Sequence, residues 1–226
     1  LQARQAALGP ALAEARVVFW IGESLELFLT RPLAALSGKA TVVEVMDMPG
    51  LTRHALREGG AWDRHDDHGT PASQDDHANH GTHDPHLWLN PANAKVMTLA
   101  IARTLAATDP AHAARYTSNA TAMTGRLDAL DAQLRLTLRP ITAAPYIVFH
   151  DAYQYFERRY GLNAVGAIAV SPGRSPGARR LTEIRARIKT ARAACVFIEP
   201  QFAPRIARTV VEGTGAQIAV LDPLGA

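Results

Sequence analysis

The sequence predicts an α/β protein of two lobes, each a parallel sheet flanked by helices, joined by one long rigid helix. Three observations carry this expectation. Short apolar runs alternate with helical periodicities along the 226 residues, the order produced by parallel sheets covered on both faces. One long helical pattern, from about Asp109 to Leu138, divides the alternation into two blocks. At 1.5 Å per residue, a helix of about 28 residues reaches roughly 42 Å, more than one small domain needs. The first block is interrupted between residues 63 and 83 by a stretch of His, Asp, Gly, Ser, Asn and Thr with almost nothing apolar.

The elements follow in order. Leu1–Ala15 carries a helical pattern with no initiator methionine and no strand before it, so preceding sequence is expected to be missing. Val17–Ile21 reads as a buried strand ending at Gly22, Leu25–Ala35 as a helix, and Thr41–Val45 as a second strand. Pro91–Ala107 reads as a helix with Asn90 as its N-cap and Pro91 at the first helical position, where the missing N–H does no harm. Asp109 is expected to cap the long helix, which ends before Pro140. Tyr146–Phe149, Val165–Val170, Ala194–Ile198 and Gln217–Leu221 read as strands, separated by helices over Ala152–Tyr160, Ala178–Ala191 and Ala203–Glu212. The chain stops on a turn, Leu221 to Ala226, and is expected to continue. This gives an N-terminal lobe over 1–108 lacking its first strand, a connecting helix over 109–139 and a C-terminal lobe over 140–226.

Composition narrows the function. With 47% hydrophobic and 20% charged residues, there is ample core, and no apolar run approaches the roughly 20 residues that span a bilayer. The net charge is only +3, with acid and base interleaved. Arg174, Arg179, Arg180, Arg185 and Arg187 include Glu183 among them and no aromatic residue for base stacking. They read as a solvated helix face, and nucleic acid is not expected as a partner. Cys195 stands alone in an apolar run and reads as a small core residue.

Metal chemistry is the strongest signal. Six of the nine histidines fall between His65 and His86, and His77, His80, His83 and His86 repeat every third residue. Asp66, Asp67, Asp75, Asp76 and Asp84 lie among them. Neutral imidazole is the commonest protein ligand for zinc, and carboxylates complete coordination spheres. A stretch too polar to fold on its own binds metal weakly, so His65, His68, His77, His80 and His83 are expected to form a secondary, weak zinc-binding loop. In open parallel sheets ligands bind at the carboxyl ends of strands. His150, Glu199 and Asp222 each directly follow a predicted strand, while His86 sits in the stiff segment ahead of the Pro91 helix.

Four segments then become recognisable in order: Asp84-Pro85-His86-Leu87-Trp88-Leu89-Asn90-Pro91, Phe149-His150-Asp151-Ala152-Tyr153, Ile198-Glu199-Pro200-Gln201-Phe202 and Leu221-Asp222-Pro223-Leu224-Gly225. Together they resemble the zinc-binding periplasmic proteins of bacterial ABC importers, the ZnuA-like family (cluster A-I of metal-binding carriers), along essentially the whole chain. The resemblance implies two α/β lobes, a rigid connecting helix and Zn2+ bound in the cleft between them. It implies His86 and His150 as ligands from opposite lobes. Asp222 matches an aspartate that ligates in manganese members and often stands further off in zinc members. It also implies another first-lobe histidine upstream of residue 1, and for Cys195 a partner in some relatives beyond Ala226. A His/Asp-rich loop ahead of the first motif tends to mark zinc members.

The same resemblance implies a periplasmic, monomeric carrier that hands its ion to an ABC transporter permease, with a periplasmic zinc chaperone as a further partner. Each ligand imidazole then needs its other nitrogen held, and Asp84 and Asp151 are the adjacent carboxylates. The competing classes are a manganese or ferrous carrier of the same fold, favoured if Asp222 ligates directly, and a zinc hydrolase. No HExxH pattern is present. Glu199, the one candidate base, is followed by Pro200 and reads as part of a structural turn, so an enzyme is not expected.

Overall fold

The computed structural model describes residues 9–35, 39–58, 62, 82–169, 176–202 and 204–225. The chain divides into two compact units, Leu1–Ala55 with Asp75–Ala132, and Leu56–Gln74 with Gln133–Ala226.

In the first unit two short runs rich in β-branched and aromatic residues, β1 (Val17–Trp20) and β2 (Thr41–Glu44), pair in parallel with Val17 opposite Thr41 and Trp20 opposite Glu44. The helix expected over Leu25–Ala35 is broken. A single turn α1 (Glu23–Glu26) gives way to a 3-10 turn at Leu27–Leu29 and then to α2 (Thr30–Ala34). Pro32 accounts for the break, because it offers no N–H and its ring crowds the carbonyl four residues earlier. Glu26 leaves the helical region and its carboxylate accepts the Ile21 N–H at 2.6 Å. Leu29 and Leu33, four residues apart, bury one face with Leu12 against Val18 and Trp20.

Helix α3 (Pro91–Thr108) starts as its sequence requires, with the Asn90 side chain accepting the Ala92 N–H at 3.0 Å. Asp109 does not cap the next helix. Pro110 keeps it out of the helical region, and its carboxylate instead accepts from His112 Nδ1 at 2.8 Å and the Tyr116 hydroxyl at 2.9 Å. A 3-10 turn at Pro110–His112 therefore precedes α4 (Ala113–Leu138). That helix has 26 residues, a length of about 39 Å, and among them Ala120 alone is buried.

The second unit is a four-stranded parallel sheet of β3 (Pro145–His150), β4 (Asn163–Ala169), β5 (Cys195–Ile198) and β6 (Gln217–Val220), in the order β4-β3-β5-β6. The connecting helices are α5 (Gln154–Tyr160), α6 (Ala178–Ala191) and α7 (Arg205–Val211). Gly161 ends α5 in the left-handed conformation, φ 68°. Ile147, Phe149, Ile168 and Val196 from the strands pack with Ile184, Ile188, Ala207 and Val210 from α6 and α7 in one core. Each large aliphatic side chain fully buried there contributes about 1.5–3 kcal/mol. The chain leaves β3 toward one edge of the sheet and returns beside it as β5, so strand order reverses between these two neighbours. Such a reversal opens a crevice at the carboxyl ends of the two strands.

Candidate metal centre

His86 is set by its neighbours on both sides. Pro85 stiffens the approach, and a 3-10 turn at Leu87–Leu89 with Leu87 fully buried leads into α3. Asp84 is buried and its Oδ1 accepts both the His86 backbone N–H at 3.0 Å and His86 Nδ1 at 2.7 Å. Its own N–H donates to the His54 carbonyl at 2.8 Å, beside an antiparallel bridge between Ala55 and His83. A carboxylate only accepts, so the contact orients Nδ1 as the donor and leaves the ring's lone pair on Nε2. The first expected ring support is thus present.

Asn93, one turn into α3, belongs to none of the expected sites. Its amide donates to the Leu87 carbonyl at 3.1 Å and the Thr52 carbonyl at 2.9 Å, and its Oδ1 accepts the Thr52 N–H at 2.9 Å. It stitches the segment before the His-rich stretch to the motif after it. An amide residue at a helix start was its only signal, and that does not announce burial.

His150 ends β3 and Glu199 follows β5, so the strand reversal brings them together. His150 Nδ1 meets Glu199 Oε1 at 2.5 Å, with His150 6% and Glu199 2% exposed. The Phe202 ring stands edge-on to the imidazole, centroids 6.0 Å apart. Asp151, the expected holder of this ring, does not fill that role. Both carboxylate oxygens of Asp151 are taken by Arg57 instead. Glu199, read from the sequence as a strand-end carboxylate and as part of the turn before Pro200, takes its place.

Asp151 instead joins a second cluster. Arg57 Nε donates to Asp151 Oδ2 at 3.0 Å and Arg57 Nη2 to Asp151 Oδ1, while Arg57 Nη1 reaches Glu157 Oε2 at 2.6 Å. The guanidinium lies 3.5 Å from the centroid of the Trp62 ring. Burial pushes the Glu157 carboxyl up to about 7, with Arg57 opposing the rise and Asp151 adding to it. Neither Arg57 nor Glu157 carries a sequence signal, since each is one charged residue among many.

Asp222 lies beyond β6, at the same carboxyl edge as His150 and Glu199. Its Oδ1 accepts from Gln201 Nε2 at 3.0 Å and from the Leu224 N–H at 2.9 Å, an Asx turn. The Tyr153 hydroxyl donates to the Leu221 carbonyl at 2.6 Å. Burial first, then the charges of Glu199 and Asp222, pushes that hydroxyl well above the ordinary tyrosine range.

His83 forms the bridge to Ala55, and its Nδ1 lies 3.0 Å from Thr82 Oγ1. His65, His68, His77 and His80 lie outside the described residues. Among the described residues, no group of three or more His, Cys, Asp or Glu side chains is gathered as a metal site. Of the expected ligands, His86 belongs to the first unit and His150 and Asp222 to the second. Cys195 is half-buried and free, and burial raises its thiol.

Residues 3–226 match the model of a family described as the periplasmic component A of the zinc-uptake complex, ZnuA. The high-affinity zinc uptake system protein ZnuA of Brucella abortus is 44% identical over 238 residues, covering 96% of this chain and 71% of the relative. Among solved structures, a crystal structure of ZnuA superposes with a TM-score of 0.77 at 27% identity, covering 97% of this chain and 76% of that one. A Zn(II)-bound variant of AdcAII from Streptococcus pneumoniae gives 0.74 at 27% identity, covering 98% and 75%.

Proposed function

Because the chain belongs to the ZnuA family of periplasmic zinc-uptake components, we propose that it captures Zn2+ with high affinity in the periplasm and delivers it to an ABC transporter permease. Zinc is its cargo, and the protein is a carrier rather than an enzyme. His86 and His150 bind the ion through Nε2, and Asp222, at the same carboxyl edge as His150, is the oxygen ligand that a harder cation such as manganese would engage. The observation that carries this reading is the matched pair of carboxylate–imidazole contacts, Asp84 on His86 and Glu199 on His150. A carboxylate behind a ligand imidazole fixes its tautomer and raises its basicity.

His65, His68, His77, His80 and His83 add weak zinc equivalents. The carrier works as a monomer, and a periplasmic zinc chaperone is a further partner.

Chelator competition on a His150→Ala variant and on a deletion of residues 63–82 tests the assignment. The substitution is expected to abolish the tight equivalent and the deletion to remove the weak ones alone. A deletion that eliminates tight binding while His150→Ala leaves it intact would overturn the ligand assignment. Titration of zinc against manganese on the same protein tests the cargo.

A further inference from the structure

The proposed ligand His150 is held twice. Glu199 grips its ring, and the Ala152 N–H closes on the His150 carbonyl at 2.9 Å to form the tight turn in which it sits. The residue between them, Asp151, ends in the fork of Arg57. That fork is bidentate on Asp151, and its remaining nitrogen reaches Glu157 on α5. Trp62 covers the guanidinium face. The cluster is largely dry, with side-chain exposures of 16% for Arg57, 15% for Asp151 and 4% for Glu157. A bidentate guanidinium–carboxylate pair fixes direction as well as distance, which a lysine ammonium does not.

We infer that Arg57 is a positioning residue for zinc capture: by clamping Asp151 against Glu157 it sets the turn that aims His150. The inference rests on the reading of His150 as a ligand. A buried ion pair contributes little net stability, because desolvating the charges offsets their attraction, so its lasting effect is geometric. Moreover, Arg57 is a cation whose partner is the residue next to a ligand for a dication. On charge alone it opposes binding, so its presence there needs another reason.

That conflict of signs gives the test. Zinc affinity by chelator competition is measured for Arg57→Gln and Arg57→Lys beside wild type and His150→Ala, with the thermal midpoint of each metal-free protein and the ligand-field spectrum of each cobalt(II) form. If Arg57 positions His150, both Arg57 variants weaken zinc binding by about 10-fold or more, the scale of losing an outer support of a metal ligand, and both shift the cobalt bands. Arg57→Lys keeps the charge and is the variant that decides if Arg57→Gln folds poorly. Tighter binding by Arg57→Gln would show a charge effect alone and overturn the inference. So would unchanged affinity and cobalt spectrum in Arg57→Lys, whatever happens to the thermal midpoints. If His150→Ala abolishes tight binding while the Arg57 variants do not weaken it, the positioning role fails and the ligand reading stands. If His150→Ala leaves tight binding intact, both fail.

Discussion

Replacing Glu157 by Gln should change how stability depends on pH, and the size follows from the surroundings of this carboxyl. Its value rises from 4.5 to about 7, chiefly through burial. Between those values the folded protein holds a proton that the unfolded chain has released. Stability from this group is therefore fully present below about pH 4.5 and is lost as pH rises through about 7. At about 1.4 kcal/mol per pH unit, the span is worth on the order of 3 kcal/mol. The amide introduced by Glu157→Gln would be neutral throughout and still accept from Arg57, which keeps Asp151 as its charge partner. Urea denaturation of metal-free protein, followed by circular dichroism from pH 4.5 to 8, is the assay. The difference between variant and wild type cancels the titration of the many histidines common to both. Glu157→Gln should match wild type at the acid end and exceed it by about 3 kcal/mol at pH 8. A difference that stays flat would refute the reasoning. A loss of about 3–5 kcal/mol at pH 8 would refute it more sharply, because the attraction between Arg57 and an ionised Glu157 would then outweigh burial.

Two further outcomes are expected. Asp84→Asn and Glu199→Gln should each weaken zinc binding about 10–100-fold in chelator competition without changing the number of tight equivalents, because each relaxes an imidazole rather than removing it. Ile168→Ala, at a fully buried position in the sheet core of the second unit, should lower unfolding free energy by about 2–5 kcal/mol in denaturant titration, while a loss under about 1 kcal/mol would mean the core closes around the gap.

The alternation of strands and helices was legible because each element needs only local periodicity and a local stop. Asn90-Pro91 opened α3 and Gly161 closed α5 as their chemistry requires. Local breaks were harder to read. Pro32 divides the Leu25–Ala35 pattern, and Asp109 gives its carboxylate to His112 and Tyr116 rather than to the helix that follows. The support of His86 was legible because Asp84 is two residues away. That of His150 was not, since its partner Glu199 is 49 residues on and arrives only through the strand reversal. Arg57 and Asp151 are 94 residues apart, and nothing in the run of charges distinguishes that pair before the chain is folded.

Helix α4 carries a different kind of constraint. Along its 26 residues Ala120 alone is fully buried, Tyr116, Thr124, Leu127, Leu134 and Leu138 form one half-buried face, and the side chains of the exposed face are free to drift. Its register is not free in the same way. One inserted residue turns everything beyond it by about 100° and advances it about 1.5 Å, whereas seven restore the phase to within about 20° but lengthen the helix by about 10 Å. Substitutions on the exposed face of this helix should accumulate silently across generations while insertions and deletions are purged, so that this face is remembered by its count of residues rather than by their kind.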